Sequence, residues 1–203
     1  MDIDPKDLVE NAKAAAEAAQ ERSVARLNAA VAITVAVLAT FMGICKVKDD
    51  NIVQGMQQAQ ADKLDYWAYY QARNIRQDLA ESTATQLELA RRDVPAASAA
   101  AYDAAIEKYR TLAADQGKKK DALKQQAEDA QRSYDALNYR DDQFDLSDAL
   151  LAIAIALLAV TALTRLWALY FVALVPTFFG VLMGVAGFAG WALRPDALVK
   201  LLS

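Results

Sequence analysis

The sequence predicts an all-α integral membrane protein with three transmembrane helices and a long antiparallel helical hairpin, coiled-coil-like, inserted between spans one and two. Three observations lead there. Residues 27–45 carry no charge, and residues 149–193 carry only Arg165. A bilayer needs about 20 apolar residues per helical crossing, whereas a soluble core needs no such run. The block between these tracts is charged, rich in the helix formers Ala and Gln, and holds one proline, Pro95.

Residues 1–26 are expected to form an amphipathic helix continuous with the first span. Asp4 suits an N-cap, Pro5 the first helical position and Asp7 the positive end of the helix dipole. This acidic opening does not resemble a secretory signal, because the apolar run begins too late and runs too long. The first span is placed at 27–45, with Arg22 and Arg26 at one boundary and Lys46 and Lys48 at the other.

The hairpin is expected over 46–145. Its turn falls at Asp93-Val94-Pro95, since proline disfavours helix in the residue before it. The arms, 49–92 and 96–140, have matching lengths, so both outer ends return to one membrane face. Tyr102, Tyr109, Gln116, Leu123, Ala130 and Leu137 recur every seven residues in the second arm. Ile106, Ala113, Lys120, Ala127 and Tyr134 form the companion series. In the first arm the stripe is read as Val53, Met56, Leu64, Trp67, Ile75 and Leu79. Both seams are thin, and Gly117 weakens the second by about 1 kcal/mol relative to alanine. Packing against other copies would bury more.

The second tract is too long for one crossing. Residues 166–193 would extend roughly 42 Å as helix against a hydrocarbon core of about 30 Å. Arg165, Trp167 and Tyr170 seek the interface, so a reversal is expected within 164–170. The spans become 146–165 and 168–193, the latter ending at Trp191 and Arg194, with a tail at 194–203. Pro176 should kink the last span, with Thr177 at hand for freed backbone groups.

Gly180, Gly184 and Gly187 share one face of the last span, and Gly180 and Gly184 make a GxxxG pair. That face fits either this chain's own spans or a second copy. Tyr66, Trp67, Tyr69 and Tyr70 go around most of a helix, so part of this group should lie outside the seam, as a contact for another helix. Asp49, Asp50, Asp141, Asp142, Asp145 and Asp148 gather at the hairpin base. In a ring of copies they would form a membrane-proximal acidic collar able to concentrate cations. The plainer reading is capping, with Asp145 or Ser147 starting the second span and Lys46, Lys48 and Arg140 neutralising their neighbours. The Lys118-Lys119-Lys120 run reads as a solvated face.

Histidine is absent and Cys45 is the single cysteine, so neither an intrachain disulfide nor a His/Cys zinc site is expected. No phosphate-binding glycine loop and no nucleophile with a histidine base occurs. The sequence therefore predicts no enzyme, no catalytic residue, no cofactor and no metal. With a net charge of −4 it also predicts no nucleic-acid partner.

The segment Lys46-Val47-Lys48-Asp49-Asp50-Asn51-Ile52-Val53-Gln54, with Met56-Gln57-Gln58-Ala59-Gln60-Ala61 and Trp67-Ala68-Tyr69-Tyr70-Gln71-Ala72, resembles a family of small bacterial inner-membrane proteins catalogued as domain of unknown function 4337. The tract from Phe144 to Trp191 resembles it too. The resemblance implies a multi-pass protein of the bacterial inner membrane and brings no catalytic residue with it.

Three functions are weighed on the sequence. The preferred one is a homo-oligomeric scaffold whose hairpins pack above the membrane. The second is a pore or transport component using the acidic collar. The third is an adaptor binding a soluble helical partner. Membrane lipid and further copies of the chain are the expected partners. Total basic residues near the span ends place the hairpin in the cytoplasm, while the first span taken alone points the other way.

Overall fold

The structure, a computed structural model, describes residues 5–193, with backbone alone at 5–7 and 96. The Asp4 cap, the Asp7 side chain and the 194–203 tail with Arg194 lie outside the described residues. Among the described residues the fold is all-helical: α1 (Pro5–Arg91), α2 (Ala96–Thr164) and α3 (Trp167–Ala189), with no strand.

No proline interrupts α1 after its first residue, so it continues without a break from the N-terminal segment through the apolar tract and the charged arm. It stops where Pro95 approaches. The amides of Arg92 and Asp93 turn back tightly onto the carbonyls of Leu89 and Ala90 at 3.2 and 3.3 Å. The reversal between α2 and α3 sits at Arg165, whose φ of 58° is left-handed. A non-glycine residue pays about 1–2 kcal/mol there. The N–H of Arg165 bonds the Thr161 carbonyl at 2.9 Å, closing the end of α2. At the far end of α3, Gly190 takes φ 68° and its N–H caps Ala186, as does that of Trp191. This left-handed glycine cap ends the helix at Ala189, short of residue 193 where the sequence placed the end of the span.

Two compact units form, Met1–Ile52 with Tyr139–Ser203, and Val53–Asn138. In the first, Leu27, Val31 and Leu38 of α1 pack with Leu151, Ala154 and Leu158 of α2 and Ala173 of α3. Thr34 and Tyr170 share a hydroxyl hydrogen bond of 3.1 Å, and the Trp167 indole donates to Ser23 Oγ at 3.2 Å. The outward positions are apolar as well, among them Ile33, Val37, Val175 and Phe178. All three helices are long and apolar enough to cross a membrane, and α3, with 23 residues, reaches roughly 35 Å.

In the second unit the contacts descend along α2 as they rise along α1. Gly55 meets Leu137, Arg73 donates to Gln116 at 2.9 Å, and Gly117 lies against Gln77. Arg110 pairs with Glu88 at 2.7 Å and Arg91 with Asp103 at 3.0 Å. Every position of the two heptad series read in the second arm is buried or half-buried. The first arm corrects the sequence reading. Val53, Met56 and Trp67 are half-buried, but Leu64, Ile75 and Leu79 are exposed, at 59%, 66% and 67%. The inward positions are instead Ala59, Tyr66, Arg73, Ala80 and Leu87, with Met56, Lys63, Tyr70, Gln77, Ala84 and Arg91. Both series repeat every seven residues. The alanines let the backbones approach, and of the arm's leucines only Leu87 turns inward.

The same registers extend into the apolar tracts. Along α1, Val31, Leu38, Cys45 and Ile52 precede Ala59, and Val35, Met42 and Asp49 precede Met56. Along α2, Leu137 is followed by Phe144, Leu151 and Leu158, and Tyr134 by Asp141, Asp148 and Ile155. All of these positions are buried or half-buried.

Candidate functional site

Those registers explain an otherwise costly feature. Asp49 takes an inward position between Met42 and Met56 on α1, and Asp141 and Asp148 take inward positions between Tyr134 and Ile155 on α2. Carboxylates therefore stand at inward positions whose neighbours in the repeat, Met42 and Met56 on α1 and Tyr134 and Ile155 on α2, carry no charge. Asp49 is 4% exposed. A charge so removed from water needs partners.

One partner comes from its own helix. Lys46 Nζ lies 2.7 Å from Asp49 Oδ2 and 3.4 Å from Asp50 Oδ1. The hydrogen bond to Asp49 holds the Lys46 ammonium above the ordinary lysine range. The other Asp49 oxygen, Oδ1, is buried and receives no N–H or O–H donor from an ionised neighbour. Asp141 lies within hydrogen-bonding reach of Asp49. Two carboxylates are acceptors only, so this contact becomes a hydrogen bond when one of them carries a proton. Burial first, then that hydrogen bond, then the charges of Asp145, Asp49 and Asp142 push Asp141 up to about 7. Asp145, although exposed, is also raised, by the partial burial of its carboxyl and then by Asp49, with Lys46 opposing. Asp50 keeps its side chain 60% exposed.

Cys45 is a free thiol, fully buried one turn before Asp49. Among the described residues, no three acidic or thiol groups converge closely enough to hold a metal ion.

The capping reading is corrected. α2 runs unbroken from Ala96 to Thr164, so neither Asp145 nor Ser147 starts a helix. Ser147, fully buried, donates its hydroxyl to the Gly180 carbonyl at 2.8 Å. Arg140 does not turn to the aspartates either. Its guanidinium donates to the carbonyls of Gly187 at 3.1 Å and Phe188 at 3.4 Å. Gln143, missed in the sequence, donates to the carbonyls of Trp191 and Leu193 at 2.8 and 2.7 Å. Arg140, Gln143 and Ser147 follow one another at spacings of three and four. That polar line on one helix face was the available signal.

The glycine face meets this chain. A Cβ on Gly180 would come within 2.8 Å of Leu151, on Gly184 within 2.7 Å of Phe41, and on Gly187 within 2.9 Å of Phe144. The three glycines are close-approach points for α1 and α2. Of the aromatic group, Tyr66, Trp67 and Tyr70 are half-buried and Tyr69 is 61% exposed. Trp67 and Tyr70 stack edge to face at 5.3 Å, and Lys120 lies 5.9 Å from the Tyr70 ring centroid. Lys119 pairs with Asp115 at 2.7 Å, one turn away, and Lys120 donates to Asn74 at 3.1 Å. Two of the three lysines of the run are therefore tied down within their own unit, and Lys118 is exposed.

The family described as Domain of unknown function (DUF4337) matches residues 27–190. The chain belongs to this family. The match begins at Leu27, in the first apolar tract, and ends at Gly190, the cap of α3, so it takes in α1 from Leu27 onward, all of α2 and α3, and every residue of the acidic site. No curated protein and no solved structure matches the chain.

Proposed function

We propose that this DUF4337 chain is a non-enzymatic multi-pass protein of the bacterial inner membrane that self-assembles, its charged arms forming antiparallel, coiled-coil-like hairpins that pack side by side. One observation carries this reading. Leu64, Ala68, Ala72, Ile75 and Leu79 form an exposed apolar stripe at spacings of four, four, three and four on α1. The stripe lies away from the inward series and within residues 53–138, outside the apolar tracts. Exposed Tyr69 lies beside Ala68 and Ala72. Its spacing is that of a helix awaiting another helix. The inward face mixes Ala and Tyr with Lys, Arg and Gln and buries little aliphatic surface. A neighbouring copy supplies what one hairpin lacks.

Mass measurement of the full chain in mild detergent tests this, and a strict monomer at all concentrations would sink it. A monomer that captures a soluble helical partner on the same stripe would instead support an adaptor.

A further inference from the structure

We propose that Asp141 holds a proton directed at the buried Asp49 carboxylate, and that its loss loosens α1 from α2 at this level. The proposal does not rest on self-assembly and would hold for a single copy. The burial of Asp49 and the register of both residues support it, together with the contact between them. Asp49 is 4% exposed, and its Oδ1 is a buried acceptor without a donor. Asp141 approaches it from the opposite helix. Both sit at inward positions of the heptad registers, and Asp49, being buried, cannot swing to water without parting the helices.

The charges facing the pair come unequally from the three helices. On α1, Lys46 bonds Asp49 Oδ2 and also reaches Asp50, so its charge is shared. On α2, Asp142, Asp145 and Asp148 add negative charge, and Arg140 is turned to the α3 carbonyls. Between Trp167 and Ala189, α3 brings no Asp, Glu, Lys or Arg. One lysine thus faces several carboxyls, and a proton on Asp141 relieves the excess while supplying the missing donor to Asp49. The raised affinity of Asp141 for a proton, with a midpoint of about 7, agrees. When the proton leaves, two acceptor-only carboxylates adjoin and one of them is buried, a repulsive arrangement relieved by separation. The proton passes to bulk water through the half-buried Asp141, and no other reactant is needed.

The test uses the full chain in lipid nanodiscs. Infrared spectra recorded from pH 4 to 9 follow the protonated-carboxyl absorption. A component that titrates near pH 7 and is missing from Asp141→Asn is the expected result. A midpoint near the ordinary aspartate value, about 4, overturns the proposal, as does a pH 7 component that survives in Asp141→Asn. The asparagine amide can donate to Asp49 Oδ1 in place of the proton, so the variant is expected to fold; if it does not, the wild-type midpoint alone decides.

Cys45 then reports the consequence, since it is buried one turn from Asp49. The ratio of its alkylation rate in wild type to that in Asp141→Asn cancels the intrinsic pH dependence of thiol chemistry. It should rise with pH from 5.5 to about 7, by about tenfold for each unit over which the closed state keeps a proton that the opened state has released, and level off above 7. A flat ratio overturns the loosening.

Discussion

Ser147 Oγ donates to the Gly180 carbonyl at 2.8 Å, and a Cβ on Gly184 would stand 2.9 Å from that same hydroxyl. The small residues of α3 and the hydroxyl of α2 therefore form one fitted contact. Phe41 of α1 closes its other side, 2.7 Å from the Gly184 Cβ position.

Gly184→Ala and Gly180→Ala should each destabilise the protein by about 1–3 kcal/mol, the range for overfilling a packed site. Leu151, fully buried, has little room to yield to a Cβ on Gly180. Ser147→Ala, which removes a hydrogen bond without adding bulk, should cost about 0.5–1.5 kcal/mol. Thermal unfolding in detergent measures all three. The mass of any assembly should stay unchanged, because these glycines face the chain's own helices. A shift toward monomer in Gly184→Ala would return them to a subunit contact.

Gly117 behaves oppositely. A Cβ there would lie 3.5 Å from the Gln77 side chain, an ordinary contact with a flexible group. Gly117→Ala should therefore stabilise the arm by up to about 1 kcal/mol, the helix-propensity difference. Hydrogen exchange around residues 110–124 should slow. Unchanged or faster exchange would show that the Gln77 contact is tighter than it looks.

Some elements declared themselves in sequence because one strong physical term decided them. Lipid excludes charge, so the apolar tracts were plain, and proline stops a helix, so the end of α1 before Pro95 was plain too. Ile106, Ala113 and Ala127 repeat at seven with enough apolar contrast to mark the inward face of the second arm. The first arm lacks that contrast. Ala59, Arg73 and Ala80 lie inward while Leu64, Ile75 and Leu79 lie outward, so hydrophobicity pointed at the wrong face. The aspartates were seen to gather, yet only the register showed Asp49 to be inward and Asp50 outward. Ser147, read as a helix cap, could not reveal its true acceptor, a carbonyl on a helix more than thirty residues away.

The outward stripe carries the prediction about assembly. Replacing Leu64, Ile75 and Leu79 together by Glu should convert the assembly to monomer while helix content by circular dichroism stays the same. Covering an exposed leucine or isoleucine contributes about 1.5–3 kcal/mol, so losing three at once exceeds what most helix contacts can spare. Analytical ultracentrifugation in detergent reads the outcome. A triple variant that keeps its mass would move the subunit contact elsewhere.

The stability of the fold should fall as pH rises from about 4 to about 7, and Asp141 sets the sign. Its folded-state value is about 7 against an ordinary value of 3.8. Between those limits the folded chain holds a proton that the unfolded chain has released. Raising the pH therefore favours unfolding. The contribution of Asp141 is complete below pH 4, declines through the interval and levels off above 7. Asp145, also raised, adds to the same trend. Lys46 works at higher pH: its bond to Asp49 raises its affinity for protons, and that support is lost only when the lysine deprotonates. Thermal unfolding from pH 4.5 to 8.5 should show a falling midpoint for wild type and a markedly flatter profile for Asp141→Asn. A wild-type midpoint that climbs with pH across this interval would mean that ordinary, favourably paired carboxylates dominate and that Asp141 is not held protonated in the fold.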